Sequence, residues 1–421
     1  VPRRYFGTDG VRGVYREDLT AELVERLGRA FALWSGGSAV LVGRDTRTSG
    51  PELEGALARG LASGGSDVVL GGILPTPAVA LLAEHAGAVV SASHNPAEYN
   101  GVKFFASGMK LTDQEEKEVE AHLDATGRES GAIRTATGLA ERYVELVCER
   151  FGSPLEGLRV AVDCANGAMS AVAPAALERL GADVTTVAAS FDGQRINEGC
   201  GATDLSLLSR VAREKRVDLG VAFDGDGDRM LAVDGEGREV DGDGILAVLT
   251  PYLGVDLVVV TSMTNLGFHR LMAERGIRVV TTDVGDRYVL EALRQEGGLL
   301  GGEQSGHIVY LRGHVSGDGL AAALLLCGAL VGSGQTLAEA AGALVRWPQV
   351  KANVRVRSKA LPAAVGARVD ELNEQLAGRA RVLVRPSGTE PVVRVLAEAE
   401  SDQEAQELCG RMAALVEREL G

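Results

Sequence analysis

Short β-branched runs alternate with amphipathic stretches along most of this chain, and each run stops in a loop of glycine and polar residues. Such alternation leaves few folds open, because strand–helix–strand units close as parallel sheets flanked by helices. Strands are expected at 39–43, 68–70, 88–90, 158–162, 183–187, 218–223, 256–261 and 277–281, with helices between them. The first helix, from Thr20, carries Leu23, Leu27, Ala30, Phe31 and Trp34 on one face. Thr112 and Glu115 form a capping box for a charged helix expected to face solvent. A boundary falls at Gly152-Ser153-Pro154, and past Trp347-Pro348 the pattern changes to a smaller α+β unit. We therefore expect an α/β protein with three similar α/β domains at 1–153, 154–252 and 253–347, and an α+β domain at 348–421. The three blocks suggest duplication, although no fixed sequence period repeats.

Composition narrows the function. Of 421 residues, 45% are hydrophobic but only 4% aromatic, so the core is built of Ala, Val and Leu. A net charge of −15 argues against non-specific nucleic-acid or anionic-membrane binding, and an anionic substrate then needs local arginines. The five cysteines (Cys148, Cys164, Cys200, Cys327 and Cys409) show no zinc or redox spacing, which points to a reducing compartment, the cytoplasm. Residues 1–7 offer no apolar leader, and the most apolar run, 320–331, is shorter than the roughly 20 residues a bilayer needs.

Four loops carry the chemistry. The run 88–90 ends in Ser91-Ala92-Ser93-His94-Asn95-Pro96, which lifts the Ser93 hydroxyl out of a sheet's end beside the His94 imidazole. Such a serine can be a nucleophile or a carrier of a transferable group, or can simply cap the turn, and Lys103 follows as a point charge suited to phosphate. Asp224, Asp226 and Asp228 alternate with glycine after a buried strand, so three carboxylates can converge on one hard cation such as Mg²⁺. An EF-hand is excluded, because Arg229 stands where its glycine belongs and Gly235 where its last glutamate belongs. A phosphate on Ser93 would give that cation a further oxygen and make a poised donor. Glu303, Ser305 and His307 share one loop, where a glutamate and a serine can hold a sugar's hydroxyls or simply cap the turn. Arg385, Ser387, Gly388 and Thr389 follow a strand, where they can make an anion nest or a plain turn. Arg12, between Gly10 and Gly13, suits a phosphate or sits in a plain surface turn, and the Arg44–Ser49 loop sits at a strand's carboxyl end, where α/β sheets bind ligands. No Walker A sequence is present, so ATP is not the evident donor.

In their order and spacing, Phe6-Gly7-Thr8-Asp9-Gly10, the serine and aspartate loops, Gly302-Glu303-Gln304-Ser305-Gly306-His307 and Arg385–Thr389 are similar to the α-D-phosphohexomutase family over the whole chain. The resemblance implies mixed sheets around a central cleft, with Ser93 phosphorylated and one Mg²⁺ held by Asp224, Asp226, Asp228 and that phosphate. It implies that Glu303 and Ser305 hold the sugar's 3- and 4-hydroxyls, while Arg385, Ser387, Gly388 and Thr389 hold the non-reacting phosphate. Phosphoserine would pass its phosphoryl group to O1, a 1,6-bisphosphate would turn over as the C-terminal unit hinges, and O6 would return its phosphate to Ser93. Gly285-Asp286-Arg287-Tyr288-Val289 points within the family to glucosamine phosphates, whose product feeds UDP-N-acetylglucosamine and cell-wall synthesis. Glucose and mannose mutases tend to carry histidine or lysine where this chain has Asp286 and Arg287, and Asp286 suits a 2-ammonium group. The basic group near the reacting oxygen is Lys103, His94 or His307. Expected partners are a phosphorylated hexosamine and at most a second copy of the chain, with no nucleic acid or membrane. Three other readings stay open: the same chemistry on a neutral sugar, a phosphatase with Asp224 as nucleophile, and a non-catalytic sugar-phosphate sensor.

Overall fold

The computed structural model describes residues 4–7, 9–127, 130–357, 361–376, 378–386 and 392–421. Contacts divide the chain into two compact units, Val1–Met263 with Gly276–Ala343, and Thr264–Arg275 with Leu344–Gly421.

The first unit contains three sheets. Strands β1 (Val11–Val14), β2 (Val40–Arg44), β3 (Val68–Ile73), β4 (Ala86–Val90), β5 (Tyr99–Ala106), β6 (Met109–Lys110) and β7 (Ile133–Thr135) form the first, in the order β1-β5-β4-β2-β3-β7, with β6 beside β5. Helices α1 (Ala21–Trp34), α2 (Gly50–Ser63), α3 (Thr76–Leu82) and α4 (Asp113–Glu120) belong to this part of the chain. Thr20 caps α1 by accepting from the Leu23 amide, and Leu23, Leu27, Ala30 and Phe31 are buried on the face expected from their spacing. Phe31 stacks on Phe104 of β5 with ring centroids 4.4 Å apart, each ring worth about 1.5–3 kcal/mol of burial.

After α5 (Leu139–Phe151) the second sheet is built from β8 (Arg159–Asp163), β9 (Asp183–Val187), β10 (Leu219–Phe223), β11 (Met230–Asp234) and β12 (Glu239–Val240), with α6 (Ala173–Arg179) and α7 (Ser206–Lys215) in between. Its order is β12-β11-β10-β8-β9. Helix α8 (Gly242–Leu253) leads into β13 (Leu257–Thr261). In sequence, α9 (Leu266–Glu274), β14 (Arg278–Thr282), α10 (Asp286–Glu296), β15 (Leu300–Gly302), β16 (Ile308–Tyr310), α11 (Gly319–Ser333) and α12 (Leu337–Ala341) follow. The third sheet is ordered β14-β13-β15-β16, while α9 groups with the second unit.

The three sheets repeat one device. A parallel pair (β2 with β4, β8 with β10, β13 with β15) is extended by an antiparallel strand (β5, β11 and β16). The turn from the last parallel strand into that antiparallel strand holds Ser93 in the first sheet, Asp224 to Asp228 in the second, and Glu303 to His307 in the third. The duplication suggested by the strand pattern is thus a repeat of topology.

The second unit has the antiparallel sheet β17 (Gln349–Arg355), β18 (Ala380–Pro386) and β19 (Val392–Ala399), ordered β17-β19-β18, with α13 (Ala363–Leu376) and α14 (Asp402–Leu420). Buried Glu398 accepts from the Leu266 amide at 2.7 Å and pairs with Arg381 at 2.8 Å, which fixes the start of α9 within this unit.

Expected elements appear close to their expected bounds, with additions. Strands β1, β5, β6, β7, β11, β12, β15 and β16 and helices α8 and α12 were not anticipated. Helix α8 opens on Gly-Asp-Gly and contains Pro251, both of which read as helix breakers, yet it is buried over most of its length. Helix α4 does not simply face solvent. Its capping box forms, but Glu116 and Val119 are buried, and Glu116 pairs with Arg287 at 2.8 Å. Among the described residues no helix is long and apolar enough to cross a membrane.

Candidate active site

The turn after β4 holds Ser93 in the left-handed region, at φ +52°. This costs a non-glycine residue roughly 1–2 kcal/mol and must be offset by contacts. The side chain is buried, its Oγ donates to Asp224 Oδ2 at 2.5 Å, and His94 Nδ1 lies 3.3 Å away. Burial, with Arg229 and Arg12 adding to it, lowers the His94 pKa to about 4, so the ring is neutral near pH 7. The Arg44–Ser49 loop, expected at a ligand, has another role. Asp45 and Arg47 are fully buried, pair at 2.9 Å and face the serine turn. Arg47 donates to the carbonyls of that turn, so the strand end supports the serine.

The aspartate turn follows β10. Gly227 adopts φ +76°, which curls the loop so that Asp224 Oδ1 accepts from the amides of Gly227 at 3.1 Å and Arg229 at 3.2 Å. Asp226 Oδ2 accepts from Thr76 Oγ1 at 2.6 Å. One oxygen from each of Asp224, Asp226 and Asp228 lies within 4.8 Å of the others, and all three residues are buried. Oδ1 of Asp226 and Oδ1 of Asp228 have no hydrogen-bond partner among the described residues. Burial first, then repulsion from Asp226 and Asp228, pushes the Asp224 carboxyl up to about 7. Converging oxygens, orphaned acceptors and mutual repulsion together fit a hard divalent cation. Asp224 itself is a poor nucleophile, because both of its oxygens already accept and it is fully buried.

Cations ring the carboxylates. Lys103 lies on β5 opposite Val89, on the sheet face away from Phe104. Its Nζ is 2.8 Å from Asp226, 3.1 Å from Asp228 and 2.9 Å from Asp9. Burial alone would lower its pKa, but those carboxylates outweigh it and hold the ammonium well above its ordinary value. Arg12 on β1 pairs with Asp9 and donates to Asn95 Oδ1 at 3.1 Å, which places it beside the serine turn. Lys110 on β6 is 2.8 Å from Asp9 and pairs closely with Asp286.

The third turn brings Glu303, Ser305 and His307 to the same unit. Glu303 is nearly buried, and Oε1 accepts from the Gly285 amide at 3.1 Å. Burial raises its pKa, although His307 works the other way. Ser305 is exposed at the tip. His307 is buried between two carboxylates, with Nδ1 3.7 Å from Asp228 and Nε2 3.5 Å from Asp286. The Met230 amide donates to the Gly306 carbonyl at 2.9 Å, so the aspartate and glutamate turns are joined through backbone. Arg287 is engaged by Asp113 and Glu116, and Asp286 by Lys110 and His307. Ser93, His94, Lys103, Arg12, Glu303, His307, Asp286 and the three aspartates are therefore linked by these contacts. Arg385 is the penultimate residue of β18 in the second unit, while Ser387, Gly388 and Thr389 lie outside the described residues.

Three charged residues of the site were not singled out from sequence: Asp9, Lys110 and Arg229. Arg229 follows the last aspartate, is half-buried, and acts electrostatically on His94, Asp224 and Glu303. Asp9 and Arg229 sit inside motifs already noted, which was a signal for both. Lys110 had none, since only the β5–β6 hairpin brings it to Asp9.

The phosphoglucomutase/phosphomannomutase family matches this chain piece by piece. Its alpha/beta/alpha domain I covers residues 3–129, domain II 137–237, domain III 241–346, and the C-terminal domain 352–415. The chain is 46% identical over 437 residues to a phosphoglucosamine mutase of Pelotomaculum thermopropionicum, covering 98% of each. It is 48% identical over 438 residues to that of Saccharopolyspora erythraea, covering 98% of this chain and 99% of the relative. A crystal structure of a phosphoglucomutase/phosphomannomutase family protein from Burkholderia thailandensis superposes with a TM-score of 0.85 at 26% identity, covering 98% of this chain and 97% of the other.

Proposed function

We propose that this chain, which belongs to the phosphoglucomutase/phosphomannomutase family, is a phosphoglucosamine mutase that interconverts glucosamine 6-phosphate and glucosamine 1-phosphate. The observation that carries the reaction class is the Ser93 hydroxyl held on Asp224 inside a ring of carboxylates and cations. The choice of sugar rests on the full-length identity to phosphoglucosamine mutases. The free thiols agree with work in the cytoplasm, where the product would enter UDP-N-acetylglucosamine synthesis.

In the working form Ser93 carries a phosphoryl group. The sugar's O1 hydroxyl gives its proton to a base and bonds to phosphorus, the bond from phosphorus to Ser93 Oγ breaks, and a 1,6-bisphosphate forms. In the second half the phosphorus on O6 bonds to Ser93 Oγ, the bond to O6 breaks, and O6 takes a proton. Mg²⁺ held by Asp224, Asp226, Asp228 and the phosphoserine would neutralise charge as the phosphoryl group moves. Lys103 and Arg12 add fixed positive charge beside it. Of the proton-carrying groups this reading admits, His94 is nearest to Ser93 Oγ at 3.3 Å, His307 is held between Asp228 and Asp286, and Lys103 stays cationic among three carboxylates. Glu303 and Ser305 are assigned to the sugar's hydroxyls. The anion-binding role of Arg385, Ser387, Gly388 and Thr389 rests on their sequence. Asp286 is offered for the 2-amino group, in competition with Lys110 and His307, and Arg287 braces α10 on α4.

Turnover of glucosamine 6-phosphate, glucose 6-phosphate and mannose 6-phosphate, each with Mg²⁺ and a trace of sugar 1,6-bisphosphate, tests this reading. The amino sugar should lead in kcat/KM by at least about tenfold. A neutral sugar in the lead would make the enzyme a phosphomannomutase/phosphoglucomutase, and binding without turnover would make it a sensor. Asp286→Asn should reduce the amino-sugar preference, and an unchanged preference removes Asp286 from that role.

A further inference from the structure

We propose that Arg47 and Asn197 form a clamp, drawn from two different sheets' loops, that positions Ser93 for phosphoryl transfer. The inference rests on the phosphoserine reading above and adds two positioning residues to it.

Two carbonyls of the serine turn are each gripped twice. Arg47 Nη2 donates to Ser93 O at 3.0 Å and to Asn95 O at 2.7 Å. Asn197 Nδ2, from the segment between β9 and α7, donates to the same two oxygens at 2.9 and 3.1 Å. Arg47 Nη1 holds two further carbonyls of the turn, Tyr99 O at 2.9 Å and Pro96 O. The amide side of Ser93 is tied to the same guanidinium. Ser93 N donates to Ser91 Oγ at 2.9 Å, Ser91 Oγ to Asp45 Oδ2 at 2.6 Å, and Asp45 Oδ2 accepts from Arg47 Nε at 2.9 Å. Both peptide planes of a residue at φ +52° are thereby fixed, one through Ser91 and Asp45, the other through Arg47 and Asn197.

This arrangement exceeds what folding a surface turn requires. Arg47 is fully buried, with its charge offset by Asp45, and spends its remaining donors on backbone oxygens of this one turn. Asn197 reaches across from the second sheet's loops, itself at φ +61°, with its amide on Ala165 O at 3.0 Å. Gly225 lies against the same place: a Cβ there would come within 2.7 Å of Ser93 O and 3.1 Å of Asn197 Nδ2. The clamp therefore couples the aspartate turn to the serine turn, so that the accepting or donating oxygen stays in line. A positioning role of this kind acts on the transfer step and leaves sugar binding alone.

The test compares wild type with Asn197→Ala, Asn197→Asp, Arg47→Lys and the double variant Arg47→Lys with Asn197→Ala, using the full chain with Mg²⁺. Single-turnover phosphorylation of Ser93 by glucose 1,6-bisphosphate is followed by mass spectrometry, beside steady-state kcat and KM and thermal melting. Asn197→Ala should slow transfer and kcat by about 10- to 100-fold with KM within about twofold. Asn197→Asp, which turns carboxylate oxygens on the same carbonyls, should be slower still. Arg47→Lys, which keeps the charge but not the fork, should be non-additive with Asn197→Ala. Because Asn197 is only half-buried, its variants keep the experiment decisive if Arg47→Lys fails to fold. Asn197→Ala transferring as fast as wild type, or losing rate only in proportion to a rise in KM, overturns the clamp alone. A wild type that takes no phosphate at Ser93 overturns the phosphoserine reading and the clamp with it.

Discussion

Ser93 Oγ donates to Asp224 Oδ2 at 2.5 Å, across 131 residues of sequence. The contact joins the turn that ends the parallel part of the first sheet to the equivalent turn of the second. It places the proposed phosphoryl carrier on the carboxylates that fit a cation. Ser93→Ala should lose turnover by at least about a thousandfold, since the proposed reaction has no second carrier. Steady-state assay beside circular dichroism checks this, and substantial activity in a folded variant would remove Ser93 from the mechanism.

The orphaned oxygens of Asp226 and Asp228 predict a measurable metal dependence. Chelation should stop turnover, and Mg²⁺ should restore it. A cation at a hundred times its Kd would add about 2.7 kcal/mol to folding stability, read as a rise in Tm. Asp228→Asn should weaken Mg²⁺ by at least about tenfold in calorimetry. Turnover that is indifferent to chelator would contradict the metal assignment.

Space around Gly225 is a second handle on the site. An alanine Cβ there would meet Ser93 O at 2.7 Å and Ile196 Cδ1 at 2.8 Å, so the two turns must part. Gly225→Ala should cost about 1–3 kcal/mol in urea denaturation and lower kcat more than it raises KM. Unchanged kcat would show that the serine and aspartate turns tolerate separation.

Acid should destabilise the protein partly through His269 on α9. Burial, with help from Arg381, lowers its folded pKa to about 4 against an ordinary 6.5. Between those values the unfolded chain binds the extra proton, so this contribution is complete above about pH 6.5 and is lost as pH falls towards 4. His269→Gln should flatten the fall of Tm between pH 6.5 and 4.5 relative to wild type. Parallel curves for the two proteins would contradict it.

Much of the site was readable because it is local in sequence. The Asp-Gly-Asp-Gly-Asp run carries its own convergence, and Ser93 announces itself where a β-branched strand breaks into small polar residues. What stayed hidden depends on pairing. Lys103 reads as a residue after a turn, and only the antiparallel register of β5, Val89 opposite Lys103, turns it towards the aspartates. Asp9 and Lys110 are 101 positions apart and meet through the β5–β6 hairpin. Arg47 was noted, but in a ligand's place, because a strand-end arginine looks the same whether it holds a phosphate or a neighbouring turn's carbonyls. Helix α8 was obscured by Gly242, Gly244 and Pro251, whose local cost is met by burial.

The most direct measurement is intact and peptide mass spectrometry of the purified protein after incubation with a sugar 1,6-bisphosphate and Mg²⁺, wild type beside Ser93→Ala. The account predicts one added phosphate, mapped to Ser93, absent from the variant and discharged by glucosamine 6-phosphate. Phosphate on an aspartate, or none on the wild type, would contradict it.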